Sequence, residues 1–251
     1  MKTIRIASAL LVLLFAVPGA SPQSGGDPDA DLKAKIAQRL SQEAALMDDR
    51  FEVSVSSGVA SVSGTVDTLW EAWKVREGVS GIFGVVEYEP RISLEGEGVP
   101  DSALMTAVSD ALSRRLLDAP EVGTITASAE GGVVTLSGAI RDARKRFEAR
   151  EAVARVRGVQ RIVDELQSPE AADDVIQRAV AAILAGGTGR PVGGGVTTLV
   201  EDGVVTLTGT VPLLSSRWEA AETAWGVNGV RGVENRLKVA PPSRDVKVVR
   251  P

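Results

Sequence analysis

The sequence predicts an α+β fold of three tandem α-β-β-α-β units, each a three-stranded mixed sheet with two helices on one face. Two observations carry that prediction. The stretch Gly132–Ile140 (GVVTLSGAI) recurs as Gly58–Val66 and Gly203–Val211, opening each time on Gly-Val and reaching a second glycine six residues on, at Gly64, Gly138 and Gly209. The twentieth residue beyond that anchor glycine is again glycine followed by valine, at Gly84-Val85, Gly158-Val159 and Gly229-Val230. A register held over that span defines a repeat of roughly 70 residues laid end to end.

Ahead of the first unit, Lys2 and Arg5 precede the apolar run Ile6–Val17, and Gly19, Ala20 and Ser21 follow, which is the layout of a secretory signal peptide over 1–21. Residues 22–29, rich in Pro, Gly and Ser, read as a flexible leader. The units then occupy 30–95, 100–168 and 172–240, and the tail 241–251 reads as disordered.

Each unit opens with an amphipathic helix. Its apolar positions are Leu32, Ile36 and Leu40, then Leu104, Val108, Ala111 and Leu112, then Val175, Ile176, Ala179, Val180 and Ile183. Asp29 and Asp31 sit where a helix N-terminus favours negative charge. A strand follows at Phe51–Val55, Thr124–Ser128 and Val196–Val200, pairing across the Gly-Val turn with the alternating run beyond it. The glycine-rich stretch Ala185–Gly195 lacks the Gly-Lys-Ser/Thr ending of a phosphate-binding loop and reads as a helix-to-strand connection.

The second helix carries its apolar stripe at the eleventh, fourteenth, fifteenth and eighteenth residues after the anchor glycine, for example Ala149, Ala152, Val153 and Val156. A strand that returns after a helical crossover lies parallel to the one it left, so each sheet is mixed and one of its faces stays open. The last strand alternates as Ile162, Asp164, Leu166 and as Val233, Asn235, Leu237. In the first unit it contains Pro90, which cannot donate to a ladder, so that strand is expected at an edge or to end early.

At 44% apolar residues the chain can bury real cores, and a net charge of −5 argues against bulk electrostatic binding of nucleic acid. The chain contains neither Cys nor His. That excludes disulfides, thiolate nucleophiles, imidazole bases and Cys/His zinc sites and shrinks the catalytic and metal repertoire to carboxylates, hydroxyls and lysines; no cofactor or metal is expected. The adjacent carboxylates Asp48-Asp49 and Asp173-Asp174 read as caps or solvated charge rather than a catalytic pair.

The pattern Gly-Val-Val-Thr-Leu-Ser/Thr-Gly-x-Val/Ile, a helix, then Gly-Val-x-x-Val/Ile-x-Asp/Asn-x-Leu resembles the BON domain. The third copy fits best, as Gly203–Val211 and Gly229–Leu237; the first departs at Tyr88 and Pro90. The resemblance implies a non-enzymatic envelope or osmotic-stress protein, secreted or periplasmic, with anionic phospholipid surfaces or envelope proteins as partners. The motif fixes turns and core, so it speaks for fold more than for ligand.

Two sets of residues stand out as candidate contacts. The ninth residue after the anchor glycine is aromatic in every unit, at Trp73, Phe147 and Trp218, opposite the apolar stripe. With Trp70 and Trp225 these form an aromatic ridge for a membrane interface or a partner, or else pack on a first helix, in the core or on a neighbouring unit. From Arg141 to Arg161 the chain carries Arg141, Arg144, Lys145, Arg146, Arg150, Arg155, Arg157 and Arg161 against Asp142, Glu148 and Glu151. All of these basic residues but Arg161, read as one helix from Arg141 to Arg157, together with Phe147 are the lipid-binding candidates, with an ordinary solvated helix surface as the alternative. The leading expectation is a protein that binds anionic phospholipid surfaces in envelope maintenance or stress protection. The alternative is a protein-binding or chaperone-like envelope adaptor.

Overall fold

The computed structural model describes residues 27–46, 50–96, 98–116, 124–186 and 195–240. The expected signal peptide, most of the leader, the tail, Asp48-Asp49 and most of the glycine-rich connection lie outside these residues.

The first unit runs α1 (Pro28–Gln42), β1 (Phe51–Ser56), β2 (Val59–Val66), α2 (Leu69–Ser80) and β3 (Glu87–Leu94). The second runs α3 (Asp101–Leu116), β4 (Thr124–Glu130), β5 (Val133–Ala139), α4 (Lys145–Ala154) and β6 (Arg161–Gln167). In the third the elements are α5 (Asp173–Leu184), β7 (Val196–Glu201), β8 (Val204–Val211), α6 (Leu214–Trp225) and β9 (Gly232–Val239). Each unit forms its own sheet, with the strand after the Gly-Val turn in the centre, antiparallel to the first strand and parallel to the last. This is the α+β architecture the repeat predicts.

The hairpins are two-residue turns with both central residues at positive φ: Ser57 and Gly58 at 52° and 78°, Gly131 and Gly132 at 55° and 79°, Asp202 and Gly203 at 52° and 74°. Those angles suit the twist of paired strands, which is why Gly holds the second position in every copy. A first-turn aspartate of each unit's opening helix caps its own hairpin. Asp29 accepts the Ser57 and Gly58 N–H groups at 2.7 and 3.1 Å, Asp101 accepts that of Gly131 at 3.0 Å, and Asp173 accepts those of Asp202 and Gly203, both at 2.9 Å. Asp173 thus has a specific task that sequence reading treated as generic capping.

The core of the first unit joins Leu32, Ile36 and Leu40 of α1 to Val53, Ala60, Val62 and Val66 of the sheet and Val75 and Val79 of α2. The other units repeat the arrangement around Leu104, Val134, Leu136 and Val153, and around Ile176, Val205, Leu207 and Ala224. Pro90 lies on the edge strand β3, opposite Val62, and β3 nevertheless runs its full length because an edge position needs no second ladder. Gly209 shows what the anchor glycine does: at φ 126°, a Cβ there would stand 1.8 Å from the Gly195 carbonyl oxygen.

One expectation needs correcting. The basic segment Arg141–Arg157 is not one helix, since α4 spans only Lys145–Ala154. The Asp142 carboxylate accepts the Arg144 N–H at 2.9 Å, and the Ala143 N–H donates to Asn228 Oδ1 at 2.7 Å. These bonds hold a turn where α2 and α6 are already helical.

Candidate interaction surfaces at the unit junctions

The second helices of the three units turn the faces opposite their apolar stripes toward one another. Trp73, Phe147 and Trp218, equivalent in register, line one cavity of about 360 Å³, together with Arg76, Arg150 and Glu222. The aromatic ridge therefore lies between units, the neighbour-packing alternative of the sequence reading. Two of its rings carry an arginine over the indole face, Arg76 of α2 over Trp218 and Arg150 of α4 over Trp73.

Between the first and second units, Arg155 Cζ lies 3.7 Å from the Trp70 ring centroid and Arg150 Cζ 5.5 Å from that of Trp73. Such stacks contribute about 0.5–1 kcal/mol each at exposed sites. Arg157, which is exposed, forms an ion pair with Asp67. Leu69 packs against the core of the second unit. Glu151 binds Arg155 at 2.7 Å, and that hydrogen bond, with the nearby charges of Arg155 and Arg115, holds its carboxyl below the ordinary range against a partial desolvation.

Between the second and third units the central residue is Arg146, only 4% exposed. Its Nε lies 3.1 Å from Asp164 Oδ2, its Nη2 donates to the Leu166 carbonyl at 2.5 Å, its Nη1 donates to the Trp225 carbonyl at 3.3 Å, and its Cζ stands 4.9 Å from the Trp225 ring centroid. This pair lies almost out of solvent. Removing either partner would strand the other's charge.

Between the third and first units, Leu214 of α6, 2% exposed, is part of the first unit's core. Full burial of such a side chain contributes about 1.5–3 kcal/mol. Arg76 stacks over Trp218 at 4.9 Å and pairs with Glu222 at 3.4 Å, and the Tyr88 ring meets Trp218 edge-on with centroids 6.4 Å apart. Burial pushes the Tyr88 hydroxyl up to about 12, although Arg76 draws it down.

The remaining candidates are more accessible. Arg141 and Arg144 are exposed, with Arg144 paired to Asp142 at 2.6 Å; that bond and nearby Lys145 hold the Asp142 carboxyl below its usual range. Lys145 pairs with Glu148 at 2.9 Å. The sequence reading missed Arg76, whose register matches that of Arg150. It also missed a basic groove beside α4, where Arg114, Arg115 and Arg155 surround Glu151 over Ala111, Ala152 and Val156, enclosing about 580 Å³.

No curated protein matches the chain. Among solved structures, the C-terminal domain of CdsD, a structural protein of the Type III secretion system of Chlamydia trachomatis, is 17% identical, covering 84% of this chain and 98% of that one at a TM-score of 0.23. The periplasmic domain of the inner membrane protein PrgH from S. typhimurium is 14% identical, covering 82% and 100% at a TM-score of 0.20. Likeness at that level carries no argument about what this chain does. The family model described as the BON domain matches three consecutive regions, 28–94, 100–169 and 172–241, in step with the three sheets. The chain belongs to the BON domain family, in three tandem copies.

Proposed function

We propose that this chain is a non-enzymatic protein of the bacterial envelope whose middle unit docks on anionic phospholipid surfaces. Membership of a family that is generally non-catalytic and envelope-related supports the first half. The second half rests on the groove between α3 and α4, where Arg114, Arg115 and Arg155 face one carboxylate, Glu151, above small apolar side chains. Guanidinium forks match phosphate oxygens in bidentate geometry. The middle unit also carries no net charge: residues 100–169 hold ten basic and ten acidic residues, whereas 28–94 hold seven and eleven and 172–241 six and seven. Each arginine near an anionic leaflet gains about 1 kcal/mol, an attraction that salt screens.

Of the lipid-binding candidates, this reading keeps Arg155 in the groove, where it also stacks on Trp70; Arg141, Arg144 and Lys145 lie outside the groove's lining, and Arg157 is paired with Asp67 at the first junction. Arg146, Phe147 and Arg150 serve the junctions. Flotation of the full chain with phosphatidylglycerol-containing and with pure phosphatidylcholine vesicles tests it. Expected are binding to the anionic vesicles only, weakening with salt, and a several-fold loss in Arg114→Gln/Arg115→Gln but not in Arg39→Gln/Arg91→Gln. Equal behaviour of the two variants would remove the groove. A protein-binding adaptor is the second reading, favoured by open sheet faces carrying Thr126, Ser128 and Ser137 or Thr206 and Thr208; it predicts no vesicle binding at any salt.

A further inference from the structure

The three junctions share one contact and repeat two others pairwise. The fifth residue after each anchor glycine reaches toward the next unit: Leu69 packs on the second unit's core, Ala143 hydrogen bonds to Asn228 of the third, and Leu214 enters the core of the first. The twelfth residue stacks on the ninth of the preceding unit, Arg150 over Trp73 and Arg76 over Trp218. At the remaining junction those positions are Ala221 and Phe147, and there the Phe147 ring abuts Gly226, where a Cβ would come within 3.3 Å of Cε2. In two units the nineteenth residue reaches back toward the preceding unit's crossover, Arg157 to Asp67 and Asn228 to Ala143 and the Arg141 carbonyl, whereas in the first unit that residue is the exposed Phe83.

An interface with different surfaces on its two sides makes a closed ring when the rotation closes and an open filament when it does not. Here the third unit returns to the first. We infer that the chain is a closed head-to-tail ring of three units, and that the surfaces meeting between its third and first units fit a second copy of this chain whenever that junction opens. Short connections, 95–100 and 168–172, tether the other two junctions. No connection tethers this one, so its closure depends on contact alone, helped by the high effective concentration of linked units. Its two ends are complementary: Leu214, Trp218 and Glu222 on α6 face Arg76 on α2 and Tyr88 on β3. An opened ring therefore exposes an apolar and acidic end and a basic acceptor, and the matching end of another copy satisfies both. Closure hides the pair and keeps the chain monomeric.

The test uses full chains carrying one defect each. Leu214→Asp spoils the third unit's end without touching that unit's own core, and Arg76→Glu spoils the acceptor by facing Glu222 and losing the Trp218 stack. Light scattering coupled to size exclusion is expected to show a monomeric parent, a monomeric Leu214→Asp with a larger hydrodynamic radius, and twice the monomer mass in an equimolar mixture of the two variants. The two changes placed in one chain are expected to give no doubled mass. Where Leu214→Asp lowers the helical circular dichroism, Glu222→Arg, at an exposed position, replaces it in the mixture. A Leu214→Asp chain that folds and keeps the parent radius overturns the closed ring. A mixture that stays at monomer mass, with either donor variant, overturns the second-copy fit.

Discussion

The middle unit meets its two neighbours through the same residue type at different depths, with Arg146 in the first turn of α4 and Arg155 and Arg157 just beyond its C-terminal end. Toward the third unit, Arg146 is 4% exposed, its guanidinium shared between Asp164, two carbonyls and an indole face. Toward the first, the side chains of Arg155 and Arg157 remain 49% and 58% exposed, one stacked on Trp70 and the other paired with Asp67. Depth decides what each arginine does. The buried Arg146–Asp164 pair lies within the middle unit and is costly to break, so it fixes where the guanidinium meets the Trp225 carbonyl and ring of the third; an exposed stack adds a fraction of a kilocalorie and tolerates movement. The second junction is thus a specific latch and the first an adjustable contact.

Breaking the latch has the largest expected effect. Arg146→Met should lower the stability of the full chain by about 3–5 kcal/mol in urea unfolding, because Asp164 is left without its counter-charge. Adding Asp164→Leu should recover most of that loss. If Arg146→Met alone is neutral, burial of the pair does not govern this junction. A smaller effect comes from the position the two junctions share, five residues after the anchor glycine. Leu69→Ala removes a side chain packed on the second unit's core and should cost about 2 kcal/mol, whereas Ala143→Leu, at a fully buried site, should cost about 1–3 kcal/mol by overpacking. Two neutral results would mean that these positions do not set the spacing of the units.

The fold was legible because its signals are local. Glycines at a constant register mark backbone conformations that other residues resist, and periodicity of apolar residues identifies the sheet-facing side of each helix. The junctions were legible only in part. Helical spacing correctly set Trp73, Phe147 and Trp218 opposite their own cores, but no local pattern says whether such a face meets solvent, a membrane or another unit. That is decided by residues distant in sequence, such as Arg76 against Trp218 or Asn228 against Ala143. Arg146 shows the limit most plainly: beside six other basic residues between 141 and 157 it carries no sequence mark of burial, and its partner Asp164 lies where the family pattern asks only for Asp or Asn. The two-residue delay of α4 relative to α2 and α6 was equally hidden, since it follows from Asp142 and from a side chain of the third unit.

The smallest expected effect separates the two junctions by pH. Glu151 sits at the exposed one, where the Arg155 hydrogen bond, ahead of the charges of Arg155, Arg115 and Lys74, lowers its carboxyl below the ordinary 4.5. The folded chain therefore binds this proton less readily than the unfolded chain. Its contribution is fully present above the unfolded value and is lost as pH falls through the lowered folded value. With 39% of the side chain exposed, solvent screening keeps that contribution below about 1 kcal/mol. The stability difference between the parent and Glu151→Gln should accordingly be constant from neutral pH to about pH 5 and shrink below about pH 4.5. In an Arg155→Gln background the same comparison should be nearly flat, since the largest cause of the shift is gone. A difference that persists unchanged into strong acid would show that Glu151 acts through packing rather than charge, and the first junction would then resemble the second more closely than its exposure suggests.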